Sequence, residues 1–464
     1  MIKKGLRRMK NIYIRSGMSP LDSFTPAQIL LKNSIGTNVG NLLYVYGILR
    51  TITKEDTTIT SNYYSARMED ADMINENYDC FIIPLADAFR NDFVYELRNL
   101  TRLVRKLKIP CYIIGVGLRA PYEADFSEGF PFDQDVKNFV SAVLEKSSII
   151  GVRGQITSDY LTHLGFREGT DHMAIGCPSM YSFGPELTIR NTNITRESRV
   201  CFNTSVTTPD NIHEFIDRTI KEFPDYQFIP QVLSELRLLY TGSPYVNKGN
   251  PLYPCEITHE VYNGKHSQFF INIPTWLDYL KNADFSFGSR LHGNIAATLS
   301  GTPSILFPKD ARVRELAEYH HLTSVPCHEI NETTSIWDLI EKADFHDVSR
   351  YQEENFNRFL KFLEMNDIDH IYQDGKSPEQ VPLDVMMSQV EMKPPVTSIA
   401  DCSLEEMNAR WKAFYPSHDK KIRDLNKQKK ELQQQVAALK LEQVSPFTRV
   451  GNKVLNSVKK AVKK

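Results

Sequence analysis

One turn in the middle of the chain carries two side chains that could do chemistry on an anion. Arg290 and His292 follow a predicted strand at 284–287 and precede a run of small residues typical of a short helix. A strand followed by a helix places both at the carboxyl edge of a sheet, where open α/β sheets bind ligands and helix N–H groups attract anions. A guanidinium binds carboxylate or phosphate, and an imidazole exchanges protons near neutral pH. The turn therefore predicts a site for an anionic small molecule.

Two further turns are candidates for the same site. Arg153 follows a run of apolar residues and stands between two glycines, where a predicted strand ends and a helix begins. Asn38 lies in the glycine-bracketed turn 36–41, which opens the helical run 42–49. We expect both to contact the ligand. An ion pair between strands is the alternative for Arg153, and a plain strand-to-helix turn is the alternative for Asn38.

Gly115 and Gly117, directly after a predicted strand, have the spacing that begins a dinucleotide-binding fingerprint. The third glycine and the helix that should follow at once are absent, because residues 120–131 have the composition of a loop. We therefore expect no nicotinamide cofactor, and we expect Gly117 to lie beside the substrate. Two acids of that loop, Glu123 and Asp125, are candidates for the general base.

A basic segment follows the Arg290/His292 turn and contains Lys309, Arg312 and Arg314. Each one alone is typical of a surface residue, but together they predict a cationic rim. The sequence shows neither a serine–histidine–aspartate arrangement nor histidines at metal-ligand spacing. The predicted chemistry is therefore arginine clamps and a histidine proton donor, without a metal.

Composition excludes several classes of protein. A formal net charge of -2 over 464 residues argues against a general nucleic-acid binder. The 7 cysteines are scattered with no close pair, which is typical of a reducing compartment rather than a disulfide framework. Residues 1–10 are basic but precede no apolar run, and no stretch is apolar enough to cross a membrane. We therefore expect a cytoplasmic protein.

Short apolar runs alternate with amphipathic windows from residue 12 to residue 325, which predicts βαβ units and mostly parallel sheets. Nine strands are predicted, at residues 11–14, 80–84, 110–115, 148–152, 200–203, 227–230, 269–273, 284–287 and 304–307. The fold class is α/β with two Rossmann-like lobes and a C-terminal coiled-coil helix. Its predicted segments are an N-terminal lobe (10–190), a C-terminal lobe with the Arg290/His292 turn (191–345), a helix packing back on the lobes (346–374), a linker (375–403), a coiled coil (404–443) and a basic amphipathic tail (444–464).

The last two segments suggest partners. Apolar residues from Ile422 to Leu439 recur at alternating intervals of three and four, which predicts a short coiled coil and a homo-oligomer. Docking of this helix on its own lobe is the alternative. After Ser445 and Pro446, an apolar stripe runs beside six bases between residues 449 and 464. This predicts peripheral contact with an anionic membrane, for which a solvated tail is the alternative.

Together, these clusters resemble the polysaccharide pyruvyl transferase family over roughly residues 11–322. The family itself is similar to glycosyltransferases of the B type, in which two Rossmann-like lobes face each other across a cleft. The motifs that carry the resemblance are Asn38-Val39-Gly40-Asn41, Gly115-Val116-Gly117, Gly151-Val152-Arg153-Gly154 with Asp159-Tyr160-Leu161 and Gly165, Gly176-Cys177-Pro178-Ser179, and above all Ser289-Arg290-Leu291-His292-Gly293 with Gly301-Thr302-Pro303 and Arg312.

The resemblance implies an enzyme that moves the enolpyruvyl unit of phosphoenolpyruvate onto a sugar hydroxyl of a cell-surface polysaccharide or its precursor. The product would be a pyruvate ketal, and neither metal nor other cofactor would be needed. Arg153 and Arg290 would hold the donor from opposite lobes, and His292 would be the acid for its vinyl carbon or for the departing phosphate. The other residues expected to bind substrate are Leu291, Asn38, Gly117, Arg312 and Lys309.

Two alternative functions stay open. A nucleotide-sugar-dependent glycosyltransferase of the same architecture would need a diphosphate-binding loop or a ribose-binding acid in the second lobe, and no clear one is present. A non-catalytic scaffold would use the coiled coil to gather other enzymes, and its biological effect would survive His292→Ala. The basic tail favours a lipid-linked acceptor at the inner face of the plasma membrane.

Overall fold

The computed structural model describes residues 10–244, 249–373 and 377–442. The chain forms two compact units with the boundary after Leu404. No helix in the described ranges is both long and apolar enough to cross a bilayer.

The first unit is built from short strands and connecting helices. Its strands are β1 (Asn11–Ile14), β2 (Thr58–Ser61), β3 (Cys80–Pro84), β4 (Cys111–Ile114), β5 (Ile150–Val152), β6 (His172–Ala174), β7 (Val200–Asn203), β8 (Tyr226–Phe228), β9 (Gln268–Phe269), β10 (Phe285–Gly288), β11 (Ser304–Leu306) and β12 (Val396–Thr397). Its helices are α1 (Pro26–Lys32), α2 (Gly40–Ile52), α3 (Ala71–Asn77), α4 (Val94–Lys106), α5 (Asp133–Leu144), α6 (Gln155–His163), α7 (Asp210–Ile220), α8 (Leu233–Thr241), α9 (Ile273–Leu280), α10 (Leu291–Leu299), α11 (Ala311–Tyr319), α12 (Ile336–Lys342), α13 (Asp347–Met365) and α14 (Pro382–Met387).

Two parallel sheets form the framework, which confirms the predicted α/β class with two Rossmann-like lobes. The first sheet has the order β2-β1-β3-β4, and a parallel bridge between Val116 and Val152 continues it to the parallel pair β5-β6. The second sheet has the order β11-β10-β7-β8. Strands β3 and β7 are buried along their whole length, as expected for a parallel sheet covered on both faces.

Each sheet contains a point where the order of its strands reverses. In the first sheet the chain runs from β1 outward to β2 and then returns to β3 on the other side of β1. In the second sheet it runs from β7 to β8 and later returns to β10 on the other side of β7. The loops leave in opposite directions at such a point and open a crevice at the carboxyl ends of the strands, where ligands bind. The fold therefore offers two crevices, at β1/β3 and at β7/β10.

The nine predicted strands are all present, with boundaries shifted by a few residues at most. The amphipathic pattern within 136–144 is likewise confirmed, because Val136, Phe139, Val140 and Val143 of α5 are buried. Strands β2, β6 and β12 were not predicted. Each is short and lacks a continuous apolar run, so that only pairing with a neighbour identifies it.

The prediction of a linker at 375–403 was wrong for the described part of that range. It contains α14 and β12, and β12 pairs antiparallel with β9. Asp384 of α14 forms an ion pair of 2.6 Å with Arg50 of α2. Prolines interrupt any long helix here, but the short elements are packed within the first unit. Helix α13, predicted at 351–363, buries Phe356 and stacks Phe359 on Tyr181.

The second unit contains α15, which begins at Leu404 and ends at Glu442. The predicted long helix is confirmed, and the apolar side chains of its heptad pattern from Ile422 to Leu439 are exposed. Pairing of this seam with a second copy stays a prediction. The tail predicted to bind membrane, 444–464, lies outside the described residues.

Candidate active site

A cavity of about 770 Å³ lies between the carboxyl ends of the two sheets. Loops of the first sheet contribute one wall, and loops that follow β7, β10 and β11 contribute the other. Seven cationic side chains and two carboxylates line the cavity, so its net positive charge attracts anions. These side chains are Arg15, Arg90, Arg119, Arg153, Arg290, Lys309 and Arg312, with Asp87 and Glu96 as the acids.

Arg290 is held rigidly at the end of β10. Its backbone N–H donates to Asn203 Oδ1 at 2.8 Å, its Nε donates to the carbonyl of Thr204, and a terminal nitrogen donates to Glu235 Oε1 at 2.7 Å. The buried Glu235 carboxylate also accepts from the Tyr253 hydroxyl. Because Glu235 already balances its charge, Arg290 acts as a fixed hydrogen-bond donor rather than as an unpaired cation.

Arg153 is the opposite case. It follows β5, its exposed fraction is 1%, and its Nε donates to the Gly115 carbonyl at 3.3 Å. Its guanidinium lies 5.2 Å from the ring centre of Tyr44. One terminal nitrogen is buried without a hydrogen-bond partner, and no ion pair joins Arg153 to a carboxylate in the described residues. A buried cation left in this condition is costly unless a ligand supplies the missing anion.

His292 is the second residue of α10 and lies where the two lobes touch. A Cβ atom on Gly40 would be 2.7 Å from its Nδ1, so the first residue of α2 has to be glycine. Its Nε2 is 3.7 Å from Cys177 Sγ, and its ring centre is 6.3 Å from that of Tyr44. Burial, together with the charges of Arg153 and Arg312, lowers the pKa of His292 to about 3. At neutral pH and without a bound anion the ring is therefore uncharged, whereas the sequence suggested a proton donor.

Of the three residues predicted to form a cationic rim, Lys309 and Arg312 line the cavity, whereas Arg314 pairs with two glutamates outside it. Lys309 Nζ donates to Thr207 Oγ1 at 2.6 Å and to Ser205 Oγ at 3.1 Å. Burial lowers the pKa of this amine to about 8, and Arg312 contributes to the shift. Arg312 lies 3.3 Å from Asp310, and its Nε is buried without a hydrogen-bond partner. The three N–H groups of Lys309 are already donated to Ser205 and Thr207, so Lys309 contributes positive charge, whereas Arg312 retains an N–H that is unpaired in the described residues.

Two more predicted residues line the cavity, and one lies behind it. Leu291 and Asn38 are part of the wall, and Asn38 Oδ1 accepts a 2.8 Å hydrogen bond from Gly40 N. Gly117 is not part of that wall, contrary to its predicted place beside the substrate. A Cβ atom there would lie 3.0 Å from Arg153 Cδ, so Gly117 makes room for the arginine stem instead.

The acids suggested as general bases are not in the cavity. Glu123 is exposed and pairs with Arg314 at 2.6 Å, and Asp125 is exposed on the same loop. Both belong to an outer surface, because the loop after Gly117 turns away before α5 begins at Asp133. In the described residues, no group of three His, Cys, Asp or Glu side chains is arranged to hold a metal ion.

The motif-bearing region also matches a known family. The family model "Polysaccharide pyruvyl transferase" matches residues 38–310, more than half of the chain. The chain belongs to the polysaccharide pyruvyl transferase family. The matched range begins at Asn38 and contains Arg153, Arg290 and His292, and it ends just before Arg312. No curated protein matches the sequence.

Several solved structures are similar at low identity. A UDP-GlcNAc 2-epimerase from Methanocaldococcus jannaschii is 14% identical with a TM-score of 0.42, covering 77% of this chain and 99% of its own. The UDP-GlcNAc 2-epimerase from Neisseria meningitidis is 11% identical with a TM-score of 0.35, covering 82% and 99%. The glycosyltransferase SnogD from Streptomyces nogalater is 10% identical with a TM-score of 0.28, covering 78% and 96%. Nothing about the ligand of this pyruvyl transferase family member follows from these likenesses.

Sequence reasoning missed a central carboxylate of the site in this family member. Asp87 follows β3 and lies 2.8 Å from Arg119, 3.6 Å from Arg90 and 3.7 Å from Arg312. Burial alone would raise its pKa, but Arg312 and the other arginines hold the pKa of Asp87 below its ordinary value. An acid directly after a predicted strand is the signal that could have identified it, and Arg15 after β1 and Arg90 after β3 follow the same rule.

A second missed residue joins the lobes. Glu315 of α11 accepts hydrogen bonds from the Thr157 backbone N–H at 3.0 Å and from Thr157 Oγ1 at 2.9 Å. Thr157 lies in the first turn of α6, where a carboxylate interacts favourably with the helix dipole. Burial nevertheless raises the pKa of Glu315 from 4.5 to about 7, and hydrogen bonds from Thr157 only partly oppose this.

The raised pKa predicts how stability depends on pH. Between pH 4.5 and about 7 the folded chain binds a proton at Glu315 that the unfolded chain has lost. The contribution of this residue to the free energy of unfolding therefore falls as pH rises through that window. Urea unfolding of the wild type at several pH values should show the decline, and Glu315→Gln should reduce it. Glu318→Gln, at an exposed acid of the same helix, is the matched control, and an equal decline in both variants would contradict the assignment.

Proposed function

We propose that this chain transfers the enolpyruvyl unit of phosphoenolpyruvate onto a sugar hydroxyl of a cell-surface polysaccharide or its precursor. Membership of the family supports the reaction class. The observation that carries the donor assignment is Arg153, a buried guanidinium without a partner for one nitrogen, beside a neutral histidine in a cationic cavity. We place the reaction in the cytoplasm, with no metal or other cofactor.

The donor has two anionic groups that match this cavity. Arg153 supplies an unsatisfied N–H group from the first lobe. Arg290, fixed by Glu235, supplies hydrogen-bond donors from the second lobe, and Lys309 adds positive charge on the same wall. Carboxylate and phosphate would then be bound from opposite sides, which places the central carbon of the donor between the lobes. Charge-assisted hydrogen bonds of this kind are the strong ones in binding sites.

The proton chemistry follows from the state of His292. A sugar hydroxyl adds through its oxygen to the central carbon of phosphoenolpyruvate. The negative charge of the bound donor offsets the charges of Arg153 and Arg312 and raises the pKa of His292 above its value without a bound anion, so that the imidazole takes the hydroxyl proton. The same ring then delivers that proton to the methylene carbon, which becomes a methyl group. A second hydroxyl of the sugar attacks the same carbon, the bond between that carbon and the bridging phosphate oxygen breaks, and inorganic phosphate departs with the proton of the second hydroxyl. Nearby arginines stabilise the charge on the leaving group.

Self-association is a further part of the proposal. The heptad side chains Ile422, Leu425, Leu432, Val436 and Leu439 are 45–60% exposed. An exposed apolar seam at coiled-coil spacing supports pairing of α15 with α15 of a second copy. Membrane contact through residues 444–464 remains a proposal from the sequence pattern.

A ligand-binding comparison tests the donor assignment. Phosphoenolpyruvate should raise the melting temperature of the purified protein in a saturable manner, because a ligand bound only to the folded state stabilises it by mass action. UDP-glucose and CMP-sialic acid are measured in parallel. A shift with nucleotide sugars alone would replace the proposal with a glycosyltransferase. Transfer itself is detected as inorganic phosphate released in step with pyruvyl-sugar formation on a panel of acceptor glycans.

A further inference from the structure

The proposed reaction leaves one of the two crevices unused. The donor occupies the β7/β10 crevice together with Arg153, whereas Arg15 and Arg90 stand at the β1/β3 crevice of the first sheet. Arg15 directly follows β1, and Arg90 lies in the loop after β3. Both line the same cavity as the donor site. The carboxyl edge of a parallel sheet at a reversal of strand order is a general place for ligands.

Arg15 is a cation without an acidic partner. Its guanidinium lies 5.0 Å from the ring centre of Tyr64 and 5.4 Å from that of Phe93, and one terminal nitrogen is 3.4 Å from the Pro84 carbonyl. It forms no ion pair with a carboxylate in the ranges that the structure describes. Burial lowers the pKa of Arg15, Tyr64 and the Glu96 carboxylate partly oppose this, and Arg90 adds a smaller lowering. A second negative group in the crevice would relieve both the desolvation and the repulsion.

Arg90 stands at the same crevice and, unlike Arg15, has two acidic partners. Its guanidinium lies 5.5 Å from the ring centre of Phe93 and 3.6 Å from Asp87, and its buried Nε, which makes no hydrogen bond to a described residue, lies 3.4 Å from Asp92 Oδ1. Asp87 is shared with Arg119 and Arg312, Asp92 also lies within ion-pair distance of Arg119, and Asp310 pairs with Arg312. Of the four arginines at this end of the cavity, Arg15 is the one that forms no ion pair within the described ranges.

The aromatic wall of the crevice is held by a strained loop. Tyr63 and Tyr64 have φ angles of 48° and 60°, in the left-handed region that non-glycine residues rarely adopt. The Tyr64 N–H donates to Asn62 Oδ1 at 2.9 Å, which helps to fix the loop. Gly36, with φ of 58°, leaves the space that the Tyr64 ring occupies, because a Cβ atom would lie 2.3 Å from that ring. Backbone strain of this kind concentrates at ligand sites.

We propose that Arg15 and Arg90, with the rings of Tyr64 and Phe93, bind a phosphate or diphosphate group attached to the sugar acceptor. This inference rests on the proposed function, since it assigns the acceptor to the end of the cavity that the donor does not use. Two anionic substrates would then share one cavity, each at its own sheet. The acceptor sugar would extend from this crevice toward His292. A sugar diphosphate linked to a lipid and one linked to a nucleoside share this chemistry.

Isothermal titration with inorganic pyrophosphate and with phosphoenolpyruvate tests the subsite. Arg15→Met should weaken pyrophosphate binding at saturating phosphoenolpyruvate by about tenfold or more and leave phosphoenolpyruvate affinity within about twofold. Arg153→Met should show the reverse pattern. Arg98→Met, which removes an exposed surface arginine of the same lobe, should change neither. Arg90→Gln gives a second variant if Arg15→Met does not fold.

The outcomes separate the two proposals. Unchanged pyrophosphate binding in both Arg15→Met and Arg90→Gln, or simple competition between the two ligands for one site, would overturn the subsite. If pyrophosphate binds in an Arg15-dependent manner but phosphoenolpyruvate does not bind at all, the proposed donor is wrong and the anion subsite is supported. Titration of geranyl diphosphate and of UDP-glucose, each at saturating phosphoenolpyruvate, shows whether the diphosphate of the acceptor is linked to a lipid or to a nucleoside. Tighter Arg15-dependent binding of one supports that carrier, and no Arg15-dependent binding of either would overturn the acceptor assignment.

Discussion

Replacing Arg153 with methionine is expected to lower kcat/KM for phosphoenolpyruvate by about 10²- to 10³-fold without lowering the free energy of unfolding. The guanidinium is almost fully buried, has no acidic partner in the described residues and leaves one nitrogen unsatisfied. Methionine keeps an apolar stem beside Tyr44 and removes a buried charge. The folded state loses the hydrogen bond to Gly115, the contact with the Tyr44 ring and the attraction to Glu315, and relief of the buried charge offsets these losses. Loss of activity without loss of stability is the signature of a side chain retained for its ligand.

Steady-state kinetics and urea unfolding of the same preparations measure the two effects. Arg98→Met is the matched control, because Arg98 is an exposed arginine that pairs with Asp135 at 2.7 Å on the outer surface of the same lobe. Its kcat/KM should equal that of the wild type. If Arg153→Met keeps full activity, or if it unfolds as readily as a core mutant while phosphoenolpyruvate binding persists, Arg153 is a structural residue and not a donor clamp.

The second large effect is expected at His292. Replacement by asparagine should lower kcat by about 10²- to 10⁴-fold, the usual contribution of a positioned proton-transfer group, while phosphoenolpyruvate affinity changes little. Asparagine is polar and smaller than histidine, so it fits beside Gly40 and Cys177. The affinity should persist because Arg153, Arg290 and Lys309 are untouched. Single-turnover rates and titration calorimetry separate the chemical step from binding.

The pH dependence adds an independent check on His292. Since burial holds its pKa near 3, the neutral form persists as pH falls through 6.5, where an ordinary histidine would become charged. Any inflection near pH 6.5 in the pH profile of wild-type kcat/KM should therefore still be present in His292→Asn. His163→Asn, at an exposed histidine of α6, is the control and should retain full activity. An inflection lost only in the His292 variant would mean that the free enzyme carries a more ordinary imidazole.

Local sequence patterns were sufficient to predict the strands and helices that position the site. Strands such as β3 and β7 consist of consecutive apolar residues, and α5 carries apolar residues at the helical interval, so that backbone geometry alone relates sequence to structure. Because ligands bind at the carboxyl ends of parallel strands, the sequence predicted that Arg290, His292 and Arg153 share one site, and all three line the same cavity. The family followed from the same motifs. The same local reasoning failed for β2 and β12, whose short polar runs become strands only by pairing with a neighbour.

Only the tertiary structure decided which charges are paired. Arg290 finds Glu235 on α8, whereas Arg153 finds no carboxylate in the described residues, although both follow a strand in the same way. The depressed pKa of His292, the place of Asp87 among three arginines and the meeting of Arg15 with Tyr64 also depend on residues distant in the chain. The physical reason is that strand and helix periods are properties of adjacent residues. Electrostatic balance and burial depend instead on which segments the fold brings within a few ångströms of each other.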